Sequence, residues 1–190
     1  MAHPLELQYG LTADELLDAI NRRFRAKVTL EGAVAEVQLG KVAKALTDSG
    51  LISKYEEHDI DGYPDFSIWI PGRRQHLCLE CKNVRDSDEA YRSKGEVVAY
   101  KVETQKTRTS QGDPSSRFYD IDQFEILAVC LGKKTGKWTD FMFVKTSDLA
   151  RHPKYPSKLA VMHKVPLPNA TVLAPWHADL GDLLRAWVRR

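Results

Sequence analysis

Three residues of this 190-residue chain have types and spacing suited to chemistry on a charged substrate: Asp65, Glu80 and Lys82. Asp65 opens the run Asp65-Phe66-Ser67-Ile68-Trp69-Ile70, and the other two lie in His76-Leu77-Cys78-Leu79-Glu80-Cys81-Lys82. Apolar and aromatic residues dominate both runs, and Pro71-Gly72-Arg73-Arg74-Gln75 between them has turn chemistry, so the pair reads as a β-hairpin. Side chains alternate along a strand, which sets Leu77, Leu79 and Cys81 on one face and Cys78, Glu80 and Lys82 on the other. Asp65, at the start of the partner strand, then approaches Glu80 across the ladder. Two converging carboxylates repel each other unless a cation lies between them, and an oxygen-rich site of this kind suits Mg²⁺ or Mn²⁺. A lysine beside them would hold a scissile phosphate, stabilise charge developing on it, or orient and deprotonate an attacking water. The metal would lower the pKa of that water. These are the parts needed for phosphodiester hydrolysis.

The element that precedes the hairpin must help to place it. The spacing of Ala35, Leu39, Val42, Ala43 and Leu46 predicts an amphipathic helix from about Leu30 to Ser49, stopped by Gly50. Glu36 lies just beside its apolar stripe, and Gly40, one turn on, leaves room for a neighbour to approach. Glu31 stands in the first turn, where the helix dipole favours a carboxylate in any case.

With Pro64-Asp65 followed by Glu80-Cys81-Lys82, the sequence resembles the PD-(D/E)XK nuclease superfamily, the restriction endonuclease-like fold. The resemblance is good over roughly residues 31 to 82 and more diffuse to about residue 146. It implies a single α/β domain, with a mixed sheet of about four to five strands flanked by helices. Within it, residues 1–29 would form an N-terminal helical cap, 30–146 the catalytic core, and 147–190 a proline-rich extension ending in a helix. The resemblance also implies Mg²⁺, with Mn²⁺ as its substitute, held by Asp65, Glu80, the Cys81 carbonyl and a helical glutamate. Glu36 is the candidate for that glutamate and Glu31 the alternative. Asp65, Glu80, Lys82 and Glu36 would be the catalytic set, acting on DNA. Long insertions and substrate-side loops suit a type II restriction-type enzyme, which implies a homodimer on a two-fold site and a cognate DNA methyltransferase encoded nearby. A structure-specific repair or junction-resolving nuclease, an RNA-directed nuclease and a non-catalytic nucleic-acid-binding descendant are the alternatives. From a different class, a small-molecule hydrolase or a plain interaction domain would make the acidic pair incidental.

Composition agrees with a soluble globular domain: 43% hydrophobic, 28% charged and a net charge of +2. No run approaches the roughly 18 apolar residues of a membrane span, and the first ten residues lack a signal-peptide core, so no membrane is expected and the cytoplasm is the default location. So small a net charge does not announce nucleic-acid binding, but its distribution is uneven. Lys101, Lys106 and Arg108 cluster after the hairpin, and Lys133, Lys134 and Lys137 crowd a predicted turn. Gln105, Lys106, Arg108, Arg117, Lys133 and Lys134 are the candidate nucleic-acid contacts. Arg117 and Tyr119 either touch nucleic acid or pack ahead of a core strand. Cys78 and Cys81, three apart in a strand, face opposite sides and make a poor zinc site; with Cys130 they read as buried free thiols. None of the six histidines forms a helix-spaced pair; His58, ahead of Asp59-Ile60-Asp61, either lies near the site or, as the simpler reading, is an ordinary surface histidine.

The remaining expectations concern the frame. Thr12 to Arg25 reads as a helix opened by a Thr12/Glu15 capping box, with Leu16, Leu17, Ile20 and Phe24 as its apolar face. Asn83 to Glu96 reads as a loop or short helix, and Val97 to Arg108 leans to a helix on the spacing of Val98, Val102 and Gln105. Ser110 to Ser116 is a loop by composition and is expected to order on DNA. Glu125 to Leu131 is a strand buried on both faces, turned by Gly132 to Lys137 into a second hairpin with Trp138 to Lys145. The tail from Arg151 is proline-rich and ends in a helix over Asp179 to Arg190. Either terminal helix would cap the core or form a dimer seam.

Overall fold

A computed structural model of the chain describes residues 2–86, 89–106 and 112–188. The chain divides into two compact units, Met1–Val34 and Ala35–Arg190. The first holds helices α1 (Pro4–Tyr9) and α2 (Ala13–Asn21) and the opening turns of α3 (Phe24–Asp48). The capping box is present: Thr12 Oγ1 accepts from the Glu15 N–H, and Glu15 Oε2 accepts from the Thr12 N–H at 2.8 Å. The helix expected over Thr12 to Arg25 instead ends at Asn21. Phe24 starts α3, 75% exposed, and so takes no part in an α2 face.

In the second unit α3 runs to Asp48, and Gly50, at φ 74°, takes the left-handed conformation that closes it. Five strands then form the main sheet: β1 (Lys54–Glu57), β2 (Phe66–Trp69), β3 (Leu77–Asn83), β6 (Ile126–Cys130) and β7 (Phe141–Lys145), in that spatial order. The β2–β3 hairpin pairs antiparallel with Phe66 opposite Leu79, as the sequence predicts. β3 pairs parallel with β6, and β6 returns antiparallel to β7, so the sheet is mixed. A short helix α4 (Gly132–Thr135), closed by Gly136 at φ 73°, stands where a turn was expected between β6 and β7.

The two faces of this sheet bury separate clusters. On one, Ala35, Leu39 and Ala43 of α3 and Leu180, Leu183 and Leu184 of the terminal helix α5 (Leu180–Val188) pack on Phe66, Ile68, Leu77, Leu79, Cys81 and Ile126. On the other, Leu127, Val129, Met142 and Val144 meet Val102, Tyr119, Phe124, Leu159 and Val165. The alternation of β3 therefore holds: Leu77, Leu79 and Cys81 face the helices while Glu80 and Lys82 face away. Cys81 and Cys130 are buried and all three cysteines are free.

A second sheet, absent from the sequence-based expectation, supplies much of that second layer. It is antiparallel, in the order β4 (Ala90–Ser93), β5 (Glu96–Glu103) and β8 (Met162–Val165). The helix expected over Val97 to Arg108 is thus strand β5 as far as Glu103, and the loop expected over Asn83 to Glu96 contains the end of β3 and the strand β4. The physical reason is tertiary: β5 lies between two strands with Val102 fully buried, so its β-branched residues serve as strand formers. Lys94 (φ 49°) and Gly95 (φ 88°) make the left-handed pair that joins β4 to β5. Among the described residues, no helix is long and apolar enough to cross a membrane.

Candidate active site

Extending the β2–β3 register by one residue sets Asp65 opposite Glu80, and the side chains complete the arrangement. Asp65 Oδ2 accepts the Cys81 backbone N–H at 2.7 Å, doing with a side chain what the next ladder bond would do with a carbonyl. A residue's N–H and C=O point to the same side of a strand, so the Cys81 carbonyl is directed toward Asp65 as well. Lys82, two residues beyond Glu80 on the same face, is ion-paired to Glu80 Oε1. The Tyr119 hydroxyl donates to that same oxygen. These groups open on a cavity of about 360 Å³ that Glu36, His58, Asp59, Asp61, Tyr63, Lys106 and Gln123 also line.

Burial and mutual charge shape the protonation of the group. Asp65 is pushed up to about 7, by burial first and then by the Glu80 charge, with Lys82 and the Cys81 N–H pulling the other way. Glu36 is raised, chiefly by partial desolvation and by the nearby carboxylates, against the opposing pull of Lys82. Lys82 loses charge stability to burial but regains more from Glu80, Tyr119 and Asp65, so it stays a cation well above its ordinary range. Burial raises the Tyr119 phenol, which keeps its proton and acts as a donor.

The sequence-based candidates separate here. Asp65, Glu80 and Lys82 come together as expected, and Glu36 stands on the cavity wall; Glu31 is not among the lining residues. Gly40 has the predicted role, since Glu57 approaches so closely that a Cβ there would lie 2.6 Å from its Oε1. Of the proposed nucleic-acid contacts among the described residues, only Lys106 lines the cavity, with its ammonium 5.4 Å from the Tyr119 ring centroid. Gln105 pairs by backbone with Phe118, and Arg117 Nε donates to the Lys106 carbonyl at 3.4 Å, so both build the segment that carries Lys106. Lys133 is 13% exposed and ion-paired to Asp86 at 3.0 Å, while Lys134 donates to the Glu89 carbonyl at 2.9 Å. Both fasten the chain that follows β3. Arg108 lies outside the described residues, as do the first two residues of the loop expected to order on DNA; the rest of that loop is described, and Pro114–Arg117 forms a short 3-10 turn capped by Asp113.

No protein-family model matches the sequence, and no curated protein does. Among solved structures, the bacterial homing endonuclease I-Ssp6803I aligns with 85% of this chain and 88% of its own, at 11% identity and a TM-score of 0.45. At that score the likeness bears no argument about chemistry.

Several lining residues carry no sequence motif. His58 Nε2 lies 2.9 Å from Ser67 Oγ, and its ring meets Tyr63 edge-on at 4.7 Å. Gln123 Nε2 donates to the Gly62 carbonyl at 3.2 Å, tying the turn before Asp65 to the segment ahead of β6. The only advance sign of His58, Asp59 and Asp61 was their nearness to Asp65 in the chain. Among the described residues, no group of three His, Cys, Asp or Glu side chains is arranged to hold a metal ion by itself. The two-carboxylate pair with an adjacent carbonyl nevertheless fits Mg²⁺, which keeps several waters and commonly takes only one or two carboxylates from a protein.

Proposed function

We propose that this chain is a divalent-metal-dependent endonuclease that hydrolyses phosphodiester bonds in DNA. The observation that supports it best is the grouping of Asp65, Glu80 and Lys82 on the wall of one polar cavity, with the lysine paired to the glutamate and Asp65 beside both. Asp65, Glu80 and the Cys81 carbonyl would hold Mg²⁺ or Mn²⁺, with Glu36 of the same cavity as the helical glutamate beside them. When bound, the ion would neutralise phosphate oxygens and lower the pKa of a water.

The chain's own residues have distinct tasks. Lys82 keeps a positive charge beside the reacting phosphate, where a preorganised cation favours the more highly charged transition state. Its N–H groups not given to Glu80 orient the attacking water or a phosphate oxygen. Lys106, on the rim beside Tyr119, attracts the substrate backbone. The finer reading is a type II restriction-type enzyme that acts as a homodimer and has a cognate methyltransferase partner. Its support is the amount of chain around the cavity that comes from outside the catalytic hairpin and is available to read a target.

The test is incubation of the purified protein with plasmid DNA in Mg²⁺, in EDTA, and as Lys82→Ala. Metal-dependent cutting that the variant loses is the expected result, and discrete fragments would support the restriction-type reading. Cutting confined to branched DNA or to RNA would replace it with a junction-resolving or RNA-directed enzyme. Failure to cut any duplex, single-stranded, branched or RNA substrate would overturn the nuclease reading.

A further inference from the structure

Glu80 is only 4% exposed, yet its two described side-chain hydrogen bonds converge on one oxygen: Oε1 accepts from the Lys82 ammonium and from the Tyr119 hydroxyl. An ionised carboxylate has about four lone-pair sites over its two oxygens, so two donors on Oε1 leave Oε2 for a third partner. The two donors differ in origin. Lys82 shares the strand with Glu80 and moves with it, whereas Tyr119 arrives from the segment before β6.

Tyr119 is itself held firmly. Its ring, 6% exposed, meets Phe124 edge-on at 5.4 Å and 79°. Its backbone carbonyl accepts from the Leu159 N–H at 2.9 Å. The ammoniums of Lys82 and Lys106 stand 5.5 and 5.4 Å from its ring centroid. A donor anchored this way sets the orientation of its acceptor, in the manner of the groups that hold a metal-ligating side chain from behind.

We propose that Tyr119 is a positioning residue whose O–H pins Oε1 of Glu80, turning Oε2 into the cavity as the oxygen offered to a divalent cation. This rests on the reading of the cavity as a metal-dependent nuclease centre. A role in packing alone would belong to the ring; the positioning role belongs to the hydroxyl. Tyr119→Phe separates them, because it keeps the ring and its neighbours and deletes one donor. Supporting groups of this type are commonly worth about 10- to 100-fold in metal affinity or activity.

The experiment measures Mn²⁺ binding to the wild-type chain and to Tyr119→Phe without DNA, by electron paramagnetic resonance of the free ion. Thermal unfolding and the Mg²⁺ dependence of plasmid cleavage are recorded alongside. The expected result is a Kd for Mn²⁺ raised about tenfold or more, a parallel rise in the Mg²⁺ needed for half-maximal cleavage, and recovery of the rate at high Mg²⁺. In a Glu80→Gln background the same substitution should leave Mn²⁺ binding unchanged, because the group it positions is gone. A Kd within twofold of wild type overturns the proposal, and so does an equal loss in both backgrounds. A wild-type chain that binds Mn²⁺ and cuts DNA while Tyr119→Phe matches it removes the role of Tyr119 alone. A wild-type chain that neither binds Mn²⁺ nor cuts overturns the nuclease reading and this inference together.

Discussion

Replacing Asp65 by asparagine should make the metal-free protein more stable and inactive at once. The carboxyl sits at about 7 in the folded chain against an ordinary 3.8, mainly through burial and then the Glu80 charge. Below the lower value it is protonated whether the chain is folded or not. Between the two values the unfolded chain gives up the proton and the folded one keeps it, so stability falls as pH rises through this window and levels off above about 7. A gap of this size corresponds to at most about 4 kcal/mol, at about 1.4 kcal/mol per pH unit. Solvent screening of a partly buried group reduces the expectation to about 2 kcal/mol. The asparagine carbonyl can still accept the Cys81 N–H, so the ladder is kept while the charge is removed. In EDTA at pH 8, Asp65→Asn should therefore melt about 4–8 °C above wild type, at about 2–4 °C per kcal/mol for a chain of this size. The difference should shrink toward zero near pH 4. Adding Mg²⁺ should raise the wild-type Tm and leave the variant's unmoved. Calorimetric melts from pH 4 to 8, with and without the ion, read all of this. A variant no more stable than wild type at pH 8 in EDTA, or a difference that ignores pH, would refute the argument.

Lys82→Ala should lower the single-turnover cleavage rate by about 10²-fold or more, since it removes the cation beside the reacting phosphate. Lys106→Ala should weaken DNA binding without changing the rate at saturating DNA, and the slope of log K against log salt, followed by fluorescence anisotropy, should fall by about 1. Two glycines should respond oppositely to alanine in urea titrations. At Gly132 the new Cβ would lie 2.5 Å from the rigid, partly buried Trp138 ring, which would have to move as a whole, and the cost should be about 1–3 kcal/mol. At Gly40 the obstructing atom is the tip of the flexible Glu57 side chain, 2.6 Å away, so the cost should stay below about 1 kcal/mol.

The hairpin that carries Asp65, Glu80 and Lys82 was legible in the sequence because everything that defines it is local. The two-residue period of β3 assigns Glu80 and Lys82 to one face, a short turn fixes the register, and Asp65 falls opposite Glu80 as a result. The stripe of α3 and the stop at Gly50 were legible for the same reason. What escaped depends on distant partners. Val98, Val102 and Gln105 imitate a helical face by accident of spacing, and only the neighbours β4 and β8 decide for a strand. β8 lies in a proline-rich tail whose composition gives little sign of it. The contact of Tyr119 with Glu80 joins residues 39 apart in the chain, and no period or turn signal reports a meeting of that kind.

The parallel pairing of β3 with β6 has a consequence for how such a chain can change over generations. Parallel neighbours cannot be joined by a tight turn, so the chain must leave the main sheet after Asn83 and return at Ile126. That detour carries Lys106, Tyr119 and Gln123 into the cavity wall, while Asp65, Glu80 and Lys82 stay on the short hairpin. Lengthening or shortening the detour would alter what lines the cavity while leaving the hairpin's pairing in place. Divergent relatives should therefore differ most in length between β3 and β6, and changes in the cavity's lining should accumulate there with little penalty to the hairpin.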